Sequence, residues 1–189
     1  MDKTVIEVKF EVDNSQNMTI YSNVPEYLEI RDNSTERYGI FTKKDIKKGE
    51  MICTMKYYYF NNKFNEKVLL KTNQGDFEIY KDINLLVESP ELGYTIFGFD
   101  CLFNHSCEIQ VIWLKGNDDT HLVVANKDFK AGEEIFLTYN LWFEELPKIL
   151  QFKCNCGHES CQGLIQGWKY VDQDYCKNLE KIRAMYYEN

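Results

Sequence analysis

The chain has 189 residues, of which 44% are hydrophobic, and this length and composition predict a single domain with a substantial core. A formal net charge of −8 disfavours direct binding to nucleic acids as the main activity and favours a cationic partner, and no apolar run approaches the roughly 20 residues of a membrane-spanning helix. The seven cysteines are odd in number and the N-terminus lacks a signal-peptide pattern, so we expect reduced thiols and an intracellular location, in the nucleus or cytoplasm.

Short stretches of alternating or apolar residues predict strands along most of the chain. In chain order they are Val5 to Val12, Ile40-Phe41, Met51 to Cys53, Phe77 to Tyr80 and Val111 to Leu114. Two similar segments, Asp45 to Glu50 and Asp128 to Glu134, each place a Gly-Glu turn before an apolar strand, as a β meander requires.

Helices are expected only near the C-terminal end, from about Leu141 to Leu150 and from Gln173 to Tyr187. Together with the strands, they predict a mostly β domain of small sheets with short helices and a helical C-terminal tail.

Three cysteines, Cys154, Cys156 and Cys161, fall within eight residues. They are one ligand short of the tetrahedral site that zinc prefers. The fourth ligand could be His158, which would close a local knuckle, or Cys107, which would join the C-terminal segment to the middle of the chain. Either choice predicts a structural ion, because four protein ligands leave no position for water. The polar surroundings disfavour the alternatives of unpaired core cysteines or a disulfide.

Several motifs, in order along the chain, resemble those of the SET-domain protein-lysine methyltransferases that carry a post-SET zinc motif. The resemblance covers about Glu26 to Ile165. The matching segments are Arg37 to Phe41 (family pattern Gly-x-Gly-Leu-Phe), Ile46 to Glu50 (the turn that follows it), Asn104 to Cys107 (Asn-His-Ser-Cys), Glu134 to Tyr139 (Glu-Leu-x-Phe-Asp-Tyr) and Cys154 to Gly163 (Cys-x-Cys-x4-Cys-x-Gly).

The resemblance implies a β-clip fold of small sheets, in which the active-site segment is threaded beneath the connection from strand to tail in a pseudoknot-like arrangement. It divides the chain into four parts. These are an N-terminal strand extension (1–25), a SET domain (26–140) with a variable insert (61–93), a post-SET zinc region (141–165) and a C-terminal helical tail (166–189).

The resemblance also implies an enzyme that transfers a methyl group from S-adenosylmethionine to a lysine of a protein or peptide, a histone tail being one candidate. In such a one-step displacement the protein mainly aligns and desolvates the reactants. The neutral amine is the nucleophile, and an aromatic channel would favour it by lowering the lysine pKa from about 10.4.

The resemblance assigns roles to individual residues. Tyr139 is the expected catalytic residue, with its hydroxyl directed toward the methyl group and the amine. The expected cofactor-binding residues are Tyr38, Asn104, His105, Tyr139 and Leu164. The expected zinc ligands are Cys107, Cys154, Cys156 and Cys161, so that the resemblance selects Cys107 over His158.

The sequence also departs from the family pattern. Arg37 replaces the first glycine of its loop, Ile109-Gln110 replaces Pro-Asn, and Leu137 and Thr138 replace an aromatic residue and an aspartate. These departures keep open a non-catalytic relative that uses the zinc-stapled fold as a peptide-binding module. A third alternative is a small zinc protein in which the motifs are coincidental. In the family, an aromatic residue at the position of Leu137 contacts the target amine. Because leucine is smaller than this aromatic residue, an active enzyme is predicted to transfer more than one methyl group.

Overall fold

The computed structural model describes residues 5–6, 8–33, 37–56, 58–60, 67–80, 86–89, 93–116, 120–141, 144–146, 148 and 151–187. This part of the chain forms short strands and one C-terminal α-helix, so the predicted mostly β architecture is confirmed. The elements are β1 (Val5–Ile6), β2 (Val8–Val12), β3 (Met18–Ser22), β4 (Leu28–Asn33), β5 (Arg37–Thr42), β6 (Met51–Lys56), β7 (Tyr58–Phe60), β8 (Lys67–Thr72), β9 (Gly75–Tyr80), β10 (Leu86–Ser89), β11 (Gly93–Ile96), β12 (Val111–Lys115), β13 (Thr120–Ala125), β14 (Phe152–Lys153), β15 (Leu164–Ile165) and α1 (Gln173–Tyr187).

One four-stranded sheet, in the order β1-β6-β13-β12, separates two hydrophobic clusters. In β12, Val111 and Trp113 contact the main core, whereas Ile112 and Leu114 belong to a second cluster with residues of α1. This division follows from the alternation of side chains along a strand. In β6, the run from Ile52 to Met55 is buried throughout, as expected for a strand covered on both faces.

A second four-stranded sheet joins two segments that are distant in sequence. Its order is β2-β3-β8-β9, with β3 and β8 parallel and the other pairs antiparallel. The predicted strand from Val5 to Val12 is therefore divided between sheets, because β1 pairs with β6 while β2 pairs with β3. Within the segment 61–93, β8 and β9 complete the sheet that the N-terminal strands begin, whereas β10 belongs to a three-stranded sheet in the order β10-β11-β7.

The two similar Gly-Glu turns pair with each other. The backbone N–H of Ile46 donates to the carbonyl of Phe129 at 3.0 Å, and the reverse bond measures 2.8 Å. Gly49 and Gly132 take φ values of 89° and 91°, a left-handed conformation that favours glycine. The repeated pattern in the sequence therefore produces two turns of the same shape on opposite sides of one bridge.

Two ion pairs also join the two turns, each from a lysine of one turn to an aspartate of the other. Lys47 Nζ lies 2.8 Å from Asp128 Oδ2, and Lys130 Nζ lies 2.7 Å from Asp45 Oδ2. All four side chains are at least half exposed, so solvent screens both ion pairs and they add little to stability. The pairing brings β5 beside the segment that follows Gly132, and these two segments carry part of the candidate site.

The two helix predictions have different outcomes. The tail helix is confirmed as α1. Half of the stretch from Leu141 to Leu150 lies outside the described residues, and residues 144–145 within it form a bend rather than an α-helix. In the part of the chain that the structure describes, no helix is long and apolar enough to cross a membrane.

Candidate active site and metal centre

The Asn-His-Ser-Cys segment lies beside the segment that ends in Tyr139. The backbone N–H of Leu137 donates to the carbonyl of Asn104 at 2.8 Å, and that of Ser106 donates to the carbonyl of Leu137 at 2.9 Å. On the other side, Ile135 donates to the carbonyl of Ile40 at 2.8 Å. Backbone hydrogen bonds thus bring together three of the motifs that the sequence singled out.

The side chain of Asn104 fixes the contact between these motifs. Its amide nitrogen donates to the carbonyl of Tyr38 at 2.9 Å and to Glu134 Oε1 at 2.7 Å. Gly39 packs against both groups, and a Cβ at this position would collide with the Glu134 carboxylate and lie 3.1 Å from the Asn104 amide nitrogen. Only glycine fits here without displacement of its neighbours, and this steric limit explains the second glycine of the family pattern.

Tyr139 is buried, with 4% of its surface exposed, and its hydroxyl donates to the carbonyl of Phe103 at 2.6 Å. Its ring lies against the rings of His105 and Phe152, with centroids 5.1 Å and 6.1 Å away. A hydroxyl oxygen that donates one hydrogen bond still has lone pairs with which to accept. The tyrosine and the carbonyl therefore form a pair of adjacent acceptor oxygens in an aromatic setting.

His105 connects Tyr139 to the cysteine cluster. Its Nδ1 accepts the backbone N–H of Tyr139 at 3.1 Å, and its Nε2 lies 3.4 Å from Cys107 Sγ. Burial lowers the pKa of His105 to about 4, and a backbone hydrogen bond with Leu137 opposes this shift only in part. The ring is therefore neutral at neutral pH.

The four predicted cysteines converge. The Sγ atoms of Cys107, Cys154, Cys156 and Cys161 all lie within 4.8 Å of one another. Cys107 and Cys154 are separated by 3.7 Å, close to the spacing of about 3.8 Å that a tetrahedral site with Zn–S bonds of about 2.3 Å requires. Backbone N–H groups of Gln162 and Cys156 donate to two of the sulfurs, at 3.3 Å and 3.4 Å. The donor set and its spacing fit a structural zinc ion.

The other proposed ligand, His158, lies outside this group. Its Nδ1 accepts the backbone N–H of Ser160 at 3.2 Å and lies 2.7 Å from the hydroxyl of the same residue. The ring therefore stabilises the turn between the cysteines. Burial raises the pKa of the Cys154 thiol to about 11; at Cys156 burial acts in the same direction, but hydrogen bonds outweigh it and lower the pKa to about 6. A bound cation would favour the ionised form of all four thiols.

The structure gives less direct support to the remaining predicted cofactor residues. Tyr38 meets the site through its carbonyl, while its ring packs edge-on against Phe77 with the centroids 5.1 Å apart. Leu164 is 47% exposed on β15, where its register partner is Lys153, next to Phe152. The role of either side chain toward a cofactor stays a prediction.

Three contributors to the site had no role in the sequence prediction. Phe103 acts through its carbonyl, which no pattern of side chains can indicate. Glu134 lies in a recognised motif but was given no function. Phe152 packs with its ring 5.6 Å from His105, and its position two residues before Cys154 was the only available signal.

The chain is similar to known proteins of one family. The family model described as SET domain matches residues 37–140. The variant-silencing SET domain-containing protein of Plasmodium falciparum is 29% identical over 147 residues, which make up 71% of this chain and 5% of the relative. A second P. falciparum protein, provisionally named histone-lysine N-methyltransferase 1, is 24% identical over 172 residues, or 85% of this chain and 2% of the relative.

The chain thus spans only a small part of both curated relatives. Among solved structures, KRYPTONITE in complex with mCHG DNA and SAH is 18% identical, with a TM-score of 0.46. The match covers 73% of this chain and 28% of the KRYPTONITE chain.

Proposed function

This chain belongs to the SET-domain family, and from that premise we propose that it is an S-adenosylmethionine-dependent protein-lysine N-methyltransferase. The observation that carries the proposal is the pair of oxygens formed by the Tyr139 hydroxyl and the Phe103 carbonyl, beside the Asn104 segment. The provisional name of one relative supports the same activity. The family match also removes the alternative that the motifs are coincidental.

When bound, S-adenosylmethionine would supply a methyl group on a positively charged sulfur. The neutral amine would bond to this methyl group in one step, with the sulfur as the leaving group. The oxygens of Tyr139 and Phe103 would accept weak C–H···O contacts from that methyl group and favour its alignment with the amine. The rings of Tyr139, His105 and Phe152 would exclude water around it, which disfavours the charged form of the target lysine and lowers its pKa.

We propose that the cofactor lies against the segment of Asn104 and His105. The support is the contact of Gly39 with the side chains of Asn104 and Glu134, which holds the loop of Tyr38 and Gly39 against this segment. Tyr38 would contribute from the neighbouring loop. The exposed apolar side chain of Leu164 would cover the bound cofactor, since burial of its surface is favourable.

We propose one structural zinc ion, held by Cys107, Cys154, Cys156 and Cys161. It would take no part in the chemistry. Because three of these ligands lie after residue 150 and one in the Asn-His-Ser-Cys segment, the ion would fix the C-terminal segment, with Phe152, against Tyr139.

The proposed substrate is a lysine-containing protein or peptide, with a histone tail as the first candidate. The net charge of −8 and the name of the second relative support a basic partner. We expect no direct nucleic-acid binding by this chain, a prediction that a gel-shift titration at low salt would test. We propose an intracellular location, in the nucleus or cytoplasm, because the cysteines are odd in number and the second relative is named as a histone-lysine methyltransferase.

Calorimetry with S-adenosylmethionine, followed by methyl transfer to a library of lysine peptides, tests this function. The expected result is saturable cofactor binding and a mass increase on a subset of peptides. Cofactor binding without transfer to any peptide or histone would favour the non-catalytic peptide-binding alternative. Failure of the zinc-loaded protein to bind the cofactor would contradict the proposed enzyme.

A further inference from the structure

The imidazole of His105 joins two groups that the proposed function treats separately. Its Nδ1 faces the backbone N–H of Tyr139 at 3.1 Å, and its Nε2 faces Cys107 Sγ at 3.4 Å. A backbone N–H can only donate, so Nδ1 must present a lone pair. A neutral ring then carries its proton on Nε2, and that proton points at the sulfur.

We propose that His105 is a positioning residue that couples the metal-binding cysteines to Tyr139, by donating from Nε2 to the Cys107 thiolate and accepting the Tyr139 N–H at Nδ1. The inference rests on the proposed function, which gives the thiolate its charge and Tyr139 its role. It concerns the side chain of His105 as a link between the cysteines and Tyr139, a role separate from the proposed exclusion of water by its ring.

A hydrogen bond from His105 to Cys107 would stabilise the negative charge of the metal-binding thiolates. Four thiolates around one Zn²⁺ carry two excess negative charges, and each N–H donor that reaches a sulfur stabilises them. Cys107 already accepts the backbone N–H of Gln162 at 3.3 Å, so His105 supplies a second donor. Cys107 is also the only proposed ligand outside the C-terminal segment. Its loss would remove the metal link that holds this segment beside Tyr139.

The hydrogen bond between His105 and Tyr139 helps to fix the position of Tyr139. The hydroxyl of Tyr139 is held by the carbonyl of Phe103 at 2.6 Å, and its backbone N–H is held by His105. Two residues of the segment from Phe103 to Cys107 thus hold Tyr139, one at its backbone and one at its hydroxyl. The His105 ring packs between Tyr139 and Phe152, with centroids 5.1 Å and 5.6 Å away, which restrains its rotation.

The rival arrangement protonates the ring on Nδ1. The Leu137 carbonyl has a hydrogen-bonding contact with the ring and could accept such a proton. With a proton on Nδ1, however, the Tyr139 N–H at 3.1 Å would face a donor rather than an acceptor. The rival would leave the sulfur facing an unprotonated nitrogen.

Two substitutions separate the two ends of the link. In His105→Asn, the amide oxygen can take the place of Nδ1 and accept from Tyr139, but the side chain is too short to reach Cys107. In His105→Gln, the amide nitrogen can take the place of Nε2 and donate to the sulfur, while the acceptor for Tyr139 is lost. Both variants lose the same aromatic packing, so each is a control for the other.

The first readout is the rate at which zinc passes from the folded protein to a chromogenic chelator. We expect His105→Asn to release zinc roughly 10-fold or more faster than His105→Gln, within the range of 10–100-fold typical of groups that support metal ligands. The second readout is methyl transfer by the zinc-loaded proteins. We expect kcat to fall more in His105→Gln than in His105→Asn, with KM for the cofactor changed little.

His158→Asn is the matched control, because His158 also lies between the cysteines but contacts Ser160 instead of a sulfur. Its zinc-release rate should equal that of the wild type. Equal release from the two His105 variants would overturn the proposal.

¹⁵N NMR of the zinc-loaded wild type provides a test that depends on no variant folding. The expected spectrum shows the His105 proton on Nε2, and a proton on Nδ1 would overturn the proposal. If the wild type binds zinc but transfers no methyl group, the proposed function fails on its own, and the zinc-release and NMR results still decide the bond to sulfur.

Discussion

Replacement of Tyr139 by phenylalanine removes one hydroxyl from the centre of the candidate site. The hydroxyl donates to the Phe103 carbonyl at 2.6 Å, and Tyr139 is 4% exposed, so water cannot easily replace it. Loss of a buried hydrogen bond costs about 1–3 kcal/mol of unfolding free energy. At about 2–4 °C per kcal/mol for a domain of this size, the melting temperature should fall by roughly 2–12 °C.

The effect on catalysis should be much larger than the effect on stability. Removal of one preorganised polar group at a reacting centre typically lowers kcat by about 100–1000-fold. Because the proposed contact forms mainly in the transition state, the cofactor affinity should stay within a few-fold of the wild type. Single-turnover methyl transfer measures the first quantity, and calorimetry with S-adenosylmethionine measures the second.

Tyr175→Phe is the matched control for this substitution. Tyr175 is also buried, at 9% exposed, and its hydroxyl also donates to a backbone carbonyl, that of Cys107, at 2.7 Å. It lies on α1, and its ring packs in the second hydrophobic cluster. The two variants should lose similar stability, whereas only Tyr139→Phe should lose most of its kcat. A fully active Tyr139→Phe, or equal losses of rate in both variants, would refute the catalytic role.

Three further predictions follow from other parts of the structure. Elemental analysis should find one zinc per chain in the wild type and in His158→Ala but little in Cys107→Ser, and the reverse pattern would refute the ligand set. Mass spectrometry of a single-lysine peptide at long times should show di- or trimethyl-lysine, and Leu137→Tyr should shift the product toward monomethyl-lysine; a wild type that stops at one methyl would contradict this. Burial raises the pKa of Asp100 from 3.8 to about 7, so the folded state holds a proton that the unfolded state releases. The contribution of Asp100 to stability should therefore decrease as the pH rises from about 4 to about 7, and denaturant titrations of Asp100→Asn should lack this pH-dependent decrease.

The local features of the fold could be predicted from the sequence, whereas its long-range pairings could not. Alternation and helix periodicity identified β12 and α1, since both depend on neighbouring residues. The continuous alternation from Val5 to Val12 gave no sign of a change of partner, because the split depends on β6 and β3, which lie elsewhere in the chain. The parallel pairing of β3 with β8 likewise has no local signal.

The candidate site shows the same division. Spacing alone indicated Cys154, Cys156 and Cys161 as candidate metal ligands, but it left the choice between Cys107 and His158 open, since both satisfy the same ligand count. Only the family resemblance favoured Cys107, and the sulfur positions support that choice.

The five residues from Phe103 to Cys107 make most of the contacts on which the proposed chemistry depends. Phe103 accepts the Tyr139 hydroxyl, Asn104 holds the neighbouring loop, His105 accepts the Tyr139 N–H and Cys107 belongs to the metal cluster. Consecutive residues cannot move independently, so release of the Cys107 sulfur from the metal should displace the acceptors of Tyr139. Chelation should therefore lower kcat without any change to Tyr139 itself, and added zinc should restore it. A chelated protein that keeps full activity would show that these contacts hold their geometry without the metal.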